Sequence, residues 1–403
     1  MTQPEKKFST EEERKGSSFL NIALFILLIL TAICVSLFVY FKSRGIDLKD
    51  ISLMDFIKAP FSSENESDET PEAREIKYEY GKHPVFSVYN GYIIECTKDS
   101  IRGLNEKGEE QWAVPVSVNN PVLKAADGKL LIGDLEGKEI YLLDGKRIKW
   151  DKKLDNNIIN VDINNDGYIS VIHEAEGYKG EVTVFNHNGN EVLSRTVSDS
   201  FPLFSRVSPS GKQLLINSVN ISGIKAATDL TSVDMKGNGS KDITPREDII
   251  FPFTWYLSSG LLAAVNDSSV ICFDESLKEK WKYEFKDKKA YCSDILQGKY
   301  LVLAVSGQDK TGSLGNNAAD IEIYDKEGKR SKVFSAGSSV KNIKTYSDII
   351  GINTGREIFF INSKGTLLDK CTSKTDVSEI FFINRNEVAF VTKSKIIINQ
   401  LNT

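Results

Sequence analysis

The residues best suited to chemistry lie between Asp162 and Gly167. Asp162, Asn164 and Asp166, followed by Gly167, match the opening of a calcium-binding loop, in which carboxylate and amide oxygens coordinate the ion. The twelfth position of such a loop needs a bidentate glutamate, and here it is His173. The segment also falls where other repeats of this chain have a hairpin turn. The pattern therefore favours a structural turn, with a weak calcium site as the alternative.

No other catalytic or cofactor motif stands out in the sequence. The three histidines, at positions 83, 173 and 187, are too few and too scattered to predict a Ser/His/Asp or Cys/His site. The five cysteines have no C-x-x-C spacing, so thiolate metal sites are not expected and free cysteines are favoured over disulfides. No G-x-x-x-x-G-K-[ST] phosphate loop occurs. We therefore predict a non-enzymatic protein without a cofactor.

Three tryptophans could form a sugar-binding stripe. They are Trp112, Trp150 and Trp281, and each falls on the fourth strand of a sequence repeat. Equivalent positions in successive repeats are more simply explained by packing between neighbouring repeats. That interpretation is favoured here.

The charge distribution argues against a nucleic-acid partner. The formal net charge is −5 and the isoelectric point is about 5.6. Residues 62–75 carry six acids and one base, which equals the whole net negative charge, so the rest of the chain is close to neutral. No basic patch of the kind that binds phosphate backbones runs through the sequence.

An apolar segment near the N-terminus predicts a membrane anchor. Residues 19–41 contain no charge over 23 positions, enough for a helix to cross about 30 Å of hydrocarbon. A cleaved signal peptide is the alternative, but its apolar core is usually only about 7–15 residues long. Lys and Arg are balanced on the two sides and do not set the orientation. The layout favours a cytoplasmic tail at 1–18, a juxtamembrane and acidic linker at 42–75, and a body outside the cell membrane.

The rest of the chain repeats itself about every 40 residues. A period of this length is typical of solenoids and propellers. The first turn of each repeat recurs as Asn90-Gly91, Asp127-Gly128, Asp166-Gly167, Ser210-Gly211, Ser259-Gly260, Gln297-Gly298, Ser347-Asp348 and Asn386-Glu387. A second turn follows in seven repeats, beginning at Asn105, Asp144, Asn186, Asp234, Asp274, Asp325 and Asn362.

Short β-branched and aromatic runs between these turns predict four antiparallel strands per repeat, which is a propeller blade. Repeats at 83–116, 119–154, 157–197, 201–247, 249–285, 288–337, 338–373 and 375–403 predict an all-β, eight-bladed β-propeller. A strand at 76–80 would complete the short last blade and pair its edge. A seven-bladed propeller remains the alternative.

One repeat resembles the quinoprotein (PQQ-like) type. The spacing of Leu104, Asn105, Gly108 and Trp112 is similar to the L-D-x-x-x-G-x-x-x-W motif of that family. The resemblance covers about residues 83–403 and implies an eight-bladed propeller, like the lipoprotein propeller of outer-membrane assembly. The layout also resembles an uncharacterised bacterial family of single-pass membrane proteins. Quinoprotein dehydrogenases carry adjacent cysteines, which this sequence lacks, so the resemblance implies no dehydrogenase activity.

Long loops between the second and third strands of three repeats are the predicted binding surface. They span 174–180, 217–229 and 306–320, and equivalent loops of a propeller emerge on one face. Insertion without function is the alternative. The candidate contact residues are Lys179, Lys225, Asp309, Lys310, Asn316 and Asn317.

These features predict a membrane-anchored scaffold that binds a protein or a cell-envelope polymer. One alternative is a signal-sensing ectodomain that acts through a membrane partner. A carbohydrate-active enzyme is the third hypothesis. The ligand and the oligomeric state are not set by the sequence.

Overall fold

The computed structural model describes residue 31 and residues 74–258, 260–307 and 318–402. The chain divides into two units, Met1–Ser67 and Asp68–Thr403, and all strands described below lie in the second. Within the described residues, no helix is both long and apolar enough to cross a membrane. The predicted tail, membrane span and linker lie outside the described residues, apart from Thr31, Arg74 and Glu75.

Eight four-stranded antiparallel sheets confirm the all-β, eight-bladed propeller and rule out the seven-bladed alternative. Blade 1 contains β2 (Val85–Tyr89), β3 (Tyr92–Cys96), β4 (Ser100–Leu104) and β5 (Glu110–Pro115). Blade 2 contains β6 (Pro121–Ala126), β7 (Lys129–Asp134), β8 (Glu139–Asp144) and β9 (Arg147–Lys153). Blade 3 contains β10 (Ile158–Ile163), β11 (Ile169–His173), β12 (Gly180–Phe185) and β13 (Glu191–Val197). Blade 4 contains β14 (Phe201–Val207), β15 (Gln213–Asn220), β16 (Ala227–Asp234) and β17 (Ser240–Ile243).

The second half of the propeller repeats this arrangement. Blade 5 contains β18 (Phe253–Tyr256), β19 (Leu262–Val265), β20 (Ser269–Phe273) and β21 (Glu279–Glu284). Blade 6 contains β22 (Lys288–Leu296), β23 (Tyr300–Gly307), β24 (Ala319–Tyr324) and β25 (Arg330–Ser335). Blade 7 contains β26 (Asn342–Tyr346), β27 (Ile349–Asn353), β28 (Glu357–Asn362) and β29 (Leu367–Thr372). Blade 8 contains β30 (Glu379–Phe382), β31 (Glu387–Val391), β32 (Lys395–Gln400) and β1 (Arg74–Lys77).

The seam of the propeller joins distant parts of the sequence. Strand β1 pairs antiparallel with β32, with Arg74 opposite Ile398 and Lys77 opposite Lys395. Arg74 also donates to the Glu387 carboxylate at 2.5 Å. The strand is therefore earlier than the expected 76–80, because the chain turns into a short 3-10 segment at Tyr80–Lys82.

The core lies between the blades, in eight apolar clusters. One such cluster, between blades 2 and 3, contains Leu131, Ile140, Val161 and Ile169. The middle strands are buried on both sides, as in β11, β20 and β27, where every residue is buried. Their sequences are therefore apolar runs without the alternation seen in half-exposed strands. The outer strands are mostly exposed or half-buried, as in β13.

Side chains on outer strands cover the next blade's second turn. Trp150 donates from Nε1 to the His187 carbonyl at 3.2 Å, and a Cβ added to Gly189 would lie 3.1 Å from its ring. Trp281 makes the equivalent contact, donating to the Lys326 carbonyl at 3.0 Å. Trp112, the third of these tryptophans, is buried between blades 1 and 2. The packing interpretation thus agrees with the observed positions of all three indoles.

The second turns are held by their first residue. The Asn105 side-chain oxygen accepts from the backbone N–H groups of Lys107 and Glu109 at 3.0 and 2.9 Å. Gly108 closes the turn with φ +79°, a conformation that L residues rarely adopt. Asn186, Asp325 and Asn362 repeat the same hydrogen bonds in their own blades.

Candidate functional site

The propeller has two unlike faces. Each inner strand (β2, β6, β10, β14, β18, β22, β26 and β30) starts at one face and ends in a hairpin turn at the other. We call the first the loop face, because it carries the connections between blades and the loops between second and third strands. The other, which carries both sets of tight turns, is the turn face.

Exposed apolar side chains concentrate on one part of the loop face. Ten large hydrophobic side chains are exposed among the described residues. Seven of them lie at the loop-face ends of blades 3–5 and are called the apolar patch: Ile159, Tyr178, Phe201, Ile221, Ile224, Ile250 and Phe253. A concentration of this kind makes the patch a candidate interaction surface, whereas single exposed apolar residues are ordinary.

The blade 4 hairpin presents the most exposed part of this patch. Strands β15 and β16 are eight residues each and pair along their whole length, from Gln213 opposite Asp234 to Asn220 opposite Ala227. At the tip, Ile221 is 61% exposed and Ile224 is 100% exposed. The predicted loop 217–229 was too long, since its two ends continue the strands and only 221–226 form the loop.

Contacts below the tip fix its position. Asn220 donates to the Asp229 carboxylate at 2.9 Å and accepts from the Ser222 backbone N–H, also at 2.9 Å. Lys225, a predicted contact residue, lies with Nζ 3.9 Å from the carboxylate of Asp248 in the connection to blade 5. The two isoleucines therefore lie at the tip of a hairpin that has a side-chain hydrogen bond across its base and an ion pair to the connection with blade 5.

The blade 3 loop joins the same surface. Lys179, another predicted contact residue, places Nζ 4.7 Å from the Phe201 ring centroid, which links blade 3 to the inner strand of blade 4. Tyr178 beside it is 50% exposed. The other four predicted contact residues, Asp309, Lys310, Asn316 and Asn317, lie outside the described residues.

A groove of about 330 Å³ runs between blades 3 and 4, next to the blade 4 hairpin. Its lining includes three carboxylates, those of Asp199, Asp229 and Asp242, and one cation, Arg195. The buried Ile216 contributes apolar surface to the same lining. The groove is large enough for one side chain of a bound polypeptide.

A second cluster lies around the central axis. One residue from each inner strand occupies an equivalent position in the register of its blade, and its side chain is directed toward the next blade. These eight residues are called the channel ring: Ser87, Lys124, Asp162, Arg206, Trp255, Asp294, Lys344 and Phe381. Arg206 lies over the Trp255 ring at 4.7 Å, and the Trp255 indole donates to Ser293 of blade 6 at 2.9 Å.

The three calcium-loop candidates have separate surroundings. Asp162 lies in the channel ring, 3.7 Å from Nε of Arg206. The Asn164 side chain holds the turn, accepting from the Tyr168 N–H at 2.9 Å and donating to the Ser208 carbonyl at 3.2 Å. Asp166 is exposed on the turn face. No group of three or more His, Cys, Asp or Glu residues in the described part of the chain could hold a metal ion.

Burial changes the acidity of three residues in the channel ring. It raises the pKa of the Asp162 carboxyl, an effect that the nearby Arg206 and Lys124 partly offset. Burial likewise raises the pKa of the Asp294 carboxyl and lowers that of the Lys124 ammonium. Three nearby charges modify the Lys124 pKa further: that of Asp162 raises it, and those of Arg206 and Lys344 lower it.

Two buried cysteines and one buried histidine are poorly suited to act as nucleophiles or bases. Burial raises the pKa of the Cys96 and Cys272 thiols to about 12, which leaves little thiolate at neutral pH. His173 is buried within blade 3, and its ring nitrogens lie 2.9 Å from the Thr183 hydroxyl and 3.0 Å from the Glu174 carbonyl. The four cysteines within the described ranges are free.

Three patch residues, Tyr178, Ile221 and Ile224, lie within the predicted loops 174–180 and 217–229, whereas the other four and the channel ring were missed in the sequence. Ile221 and Ile224 flank Ser222-Gly223. Isoleucine on both sides of such a turn could have indicated a loop with exposed apolar side chains. The channel ring gave no such signal, because its members differ in type and lie in separate repeats.

A protein-family model matches residues 66–401, most of the chain. This chain belongs to DUF5711, a family of unknown function. The match covers every blade of the propeller. No curated protein matches the sequence significantly.

Solved propellers resemble the DUF5711 chain in fold. The C-terminal WD40 domain of Sif2 is 8% identical, with a TM-score of 0.56 and coverage of 81% of this chain and 97% of that one. Chaetomium thermophilum Sqt1, bound to the N-terminus of ribosomal protein L10, is 10% identical, with a TM-score of 0.54 and coverage of 82% and 100%. BamB from Moraxella catarrhalis is 13% identical, with a TM-score of 0.49 and coverage of 81% and 98%.

These identities are low, so the two comparisons with TM-scores above 0.5 support the propeller fold of the DUF5711 chain and nothing more specific. The quinoprotein resemblance and the single-pass membrane layout stay predictions from the sequence.

Proposed function

We propose that this protein is a non-enzymatic scaffold that binds a protein partner through the apolar patch. The observation that carries the proposal is the placement of seven of the ten exposed large hydrophobic side chains of the described region on the loop face of blades 3–5. Burying such side chains against a partner removes apolar surface from water, at roughly 25 cal/mol per Å².

The surroundings of the patch suit a polypeptide better than a glycan. Isoleucines dominate the hairpin tip, and the neighbouring groove can receive a side chain. A polymer of sugars would be expected to stack on flat aromatic surfaces with polar groups beside them. Three patch side chains are aromatic, but the two most exposed members of the patch are the isoleucines of the hairpin tip. The three tryptophans first considered for sugar binding pack between blades. Sqt1 offers a parallel, since a propeller of similar fold holds the N-terminal segment of another protein.

The proposed setting is the cell membrane. The uncharged segment 19–41 would anchor the chain, and the acidic linker at 42–75 would separate the propeller from the lipid surface. In this arrangement the propeller lies outside the cell and meets an envelope protein.

Site-specific crosslinking tests the binding surface. A photoreactive amino acid replaces Ile224 in the full-length chain produced in cells, and the control replaces Glu327 on the turn face, whose side chain is 66% exposed. We expect one predominant crosslinked protein from position 224, identifiable by mass spectrometry, and none from position 327. Crosslinks of the same protein and yield from both positions, or from neither, would contradict the proposal.

A further inference from the structure

The channel ring holds more positive than negative charge. Three of its members are cations, Lys124, Arg206 and Lys344, and two are acids, Asp162 and Asp294. Both acids already have partners: Asp162 lies 3.7 Å from Arg206, and Asp294 accepts from the backbone N–H groups of Ile295 and Thr345 at 2.8 Å each. The two lysines are left to face the channel.

Neither lysine is neutralised by a direct contact. No carboxylate lies within 4.0 Å of Nζ of Lys124 or Lys344 among the described residues, and neither ammonium donates a hydrogen bond there. Lys124 is half-buried and interacts with Asp162 only at longer range. An ammonium removed from water without a close partner costs free energy, so a ligand that supplies the missing anion would be stabilised.

Aromatic rings flank the same space. Lys344 Nζ lies 5.9 Å from the Phe381 ring centroid in blade 8, and Trp255 is the member of the channel ring from blade 5. The ring is also reachable from solvent, because the Asp162 and Arg206 side chains are 23% and 22% exposed and Lys344 is exposed. A ligand with one negative charge and an apolar body matches both features.

We propose that the channel ring binds an organic carboxylate, which Lys124 and Lys344 hold by its charge while Trp255 and Phe381 contact its apolar part. The surplus of one positive charge matches a carboxylate better than a phosphate dianion, and the aromatic rings favour an organic body over a bare ion. The carboxylate belongs either to a free small acid or to the C-terminus of a peptide that enters from the loop face. This inference does not depend on the apolar patch.

Calorimetric titration of the full-length chain tests the site. The probes are benzoate, its neutral isostere benzamide, inorganic phosphate, and an apolar decapeptide with either a free or an amidated C-terminus. We expect saturable binding of benzoate or of the free-carboxylate peptide, and at least tenfold weaker binding of benzamide, phosphate and the amidated peptide. Benzoate binding without peptide binding identifies a free acid as the ligand source, and the reverse identifies a peptide terminus.

Two variants assign any binding to the ring. Lys124→Met and Lys344→Met should each weaken the carboxylate probe at least tenfold, whereas Lys374→Met, at an exposed lysine between blades 7 and 8, should leave it unchanged. Lys124→Met should also raise the urea midpoint of the unliganded chain, which shows that the variant is folded. Absence of binding by both carboxylate probes, undiminished binding in both variants, or equal affinity for phosphate would overturn the proposal.

Discussion

The guanidinium of Arg206 in blade 4 lies over the indole of Trp255 in blade 5, with 4.7 Å between Cζ and the ring centroid. The same Arg206 lies 3.7 Å from the carboxylate of Asp162 in blade 3. One side chain therefore connects three neighbouring blades at the channel. Replacing Arg206 should therefore weaken the contacts between all three blades.

Arg206→Met should lower the free energy of unfolding at pH 7 by roughly 1–3 kcal/mol, because it leaves the Asp162 carboxylate without its partner. Burial already raises the pKa of Asp162 in the folded chain, and loss of Arg206 raises it further. A carboxyl whose folded pKa lies above its unfolded value destabilises the fold as pH rises past the unfolded value, about 3.9. The loss of unfolding free energy caused by Arg206→Met should thus be smaller at pH 4 than at pH 7.

Urea unfolding of the wild-type protein and of Arg206→Met at pH 4 and pH 7 measures this effect. The matched control is Arg246→Met, which removes a largely exposed ion pair of 2.9 Å with Glu284 and should cost about 1 kcal/mol or less at either pH. An equal deficit at pH 4 and pH 7 would show that the Asp162 charge is not what Arg206 stabilises.

The seam provides a second prediction. Ile76 on β1 is 7% exposed and packs over Gly108 in the second turn of blade 1, where a Cβ would lie 3.0 Å from its side chain. Ile76→Ala should destabilise the propeller by roughly 2–5 kcal/mol, because a buried cavity opens where blade 8 meets blade 1. Leu367→Ala, at a position 49% exposed, should change stability by about 0.5 kcal/mol or less. Thermal unfolding distinguishes them, and equal melting temperatures would mean that β1 contributes little to closure.

A third prediction concerns a glycine inside a blade. A Cβ on Gly103 would lie 2.2 Å from the Trp112 ring, and that ring is buried between blades 1 and 2. Gly103→Ala should therefore cost about 1–3 kcal/mol through displacement of the indole. Gly81→Ala is the control, since no atom lies within 4 Å of its added Cβ. Tryptophan fluorescence should shift in the first variant only, and an unchanged spectrum in Gly103→Ala would contradict the packing explanation.

The membrane anchor is the fourth prediction. Deletion of residues 1–45 should move the protein from the membrane fraction to the soluble fraction, because the apolar segment 19–41 is removed. In intact cells, added protease should degrade the propeller of the full-length chain but spare a cytoplasmic control protein. Recovery of the full-length chain in the soluble fraction would exclude the anchor, and protection from protease would place the propeller inside.

The turns made the blades predictable because their chemistry is local. The Asn105 side chain and Gly108 determine one turn within four residues, and the same solution recurs in later blades. The ends of β1 were less predictable, since the aromatic residues at 78 and 80 extend the strand-like pattern past the point where the chain turns. The channel ring was not predictable at all. Its members lie in eight separate repeats that come together only when the blades pack, and residues as different as Ser87 and Phe381 occupy the same position.

The pairing of β1 with β32 also has a consequence for the timing of folding. Arg74 and Glu387 are 313 positions apart in the sequence. At translation rates of about 5–20 residues per second, the first of these residues waits roughly 15–60 seconds for the second to be made. Blades 1–7 can form during that interval, but the propeller stays open and β1 remains unpaired. Synthesis of the last blade is thus the step that protects the whole propeller from edge-to-edge association.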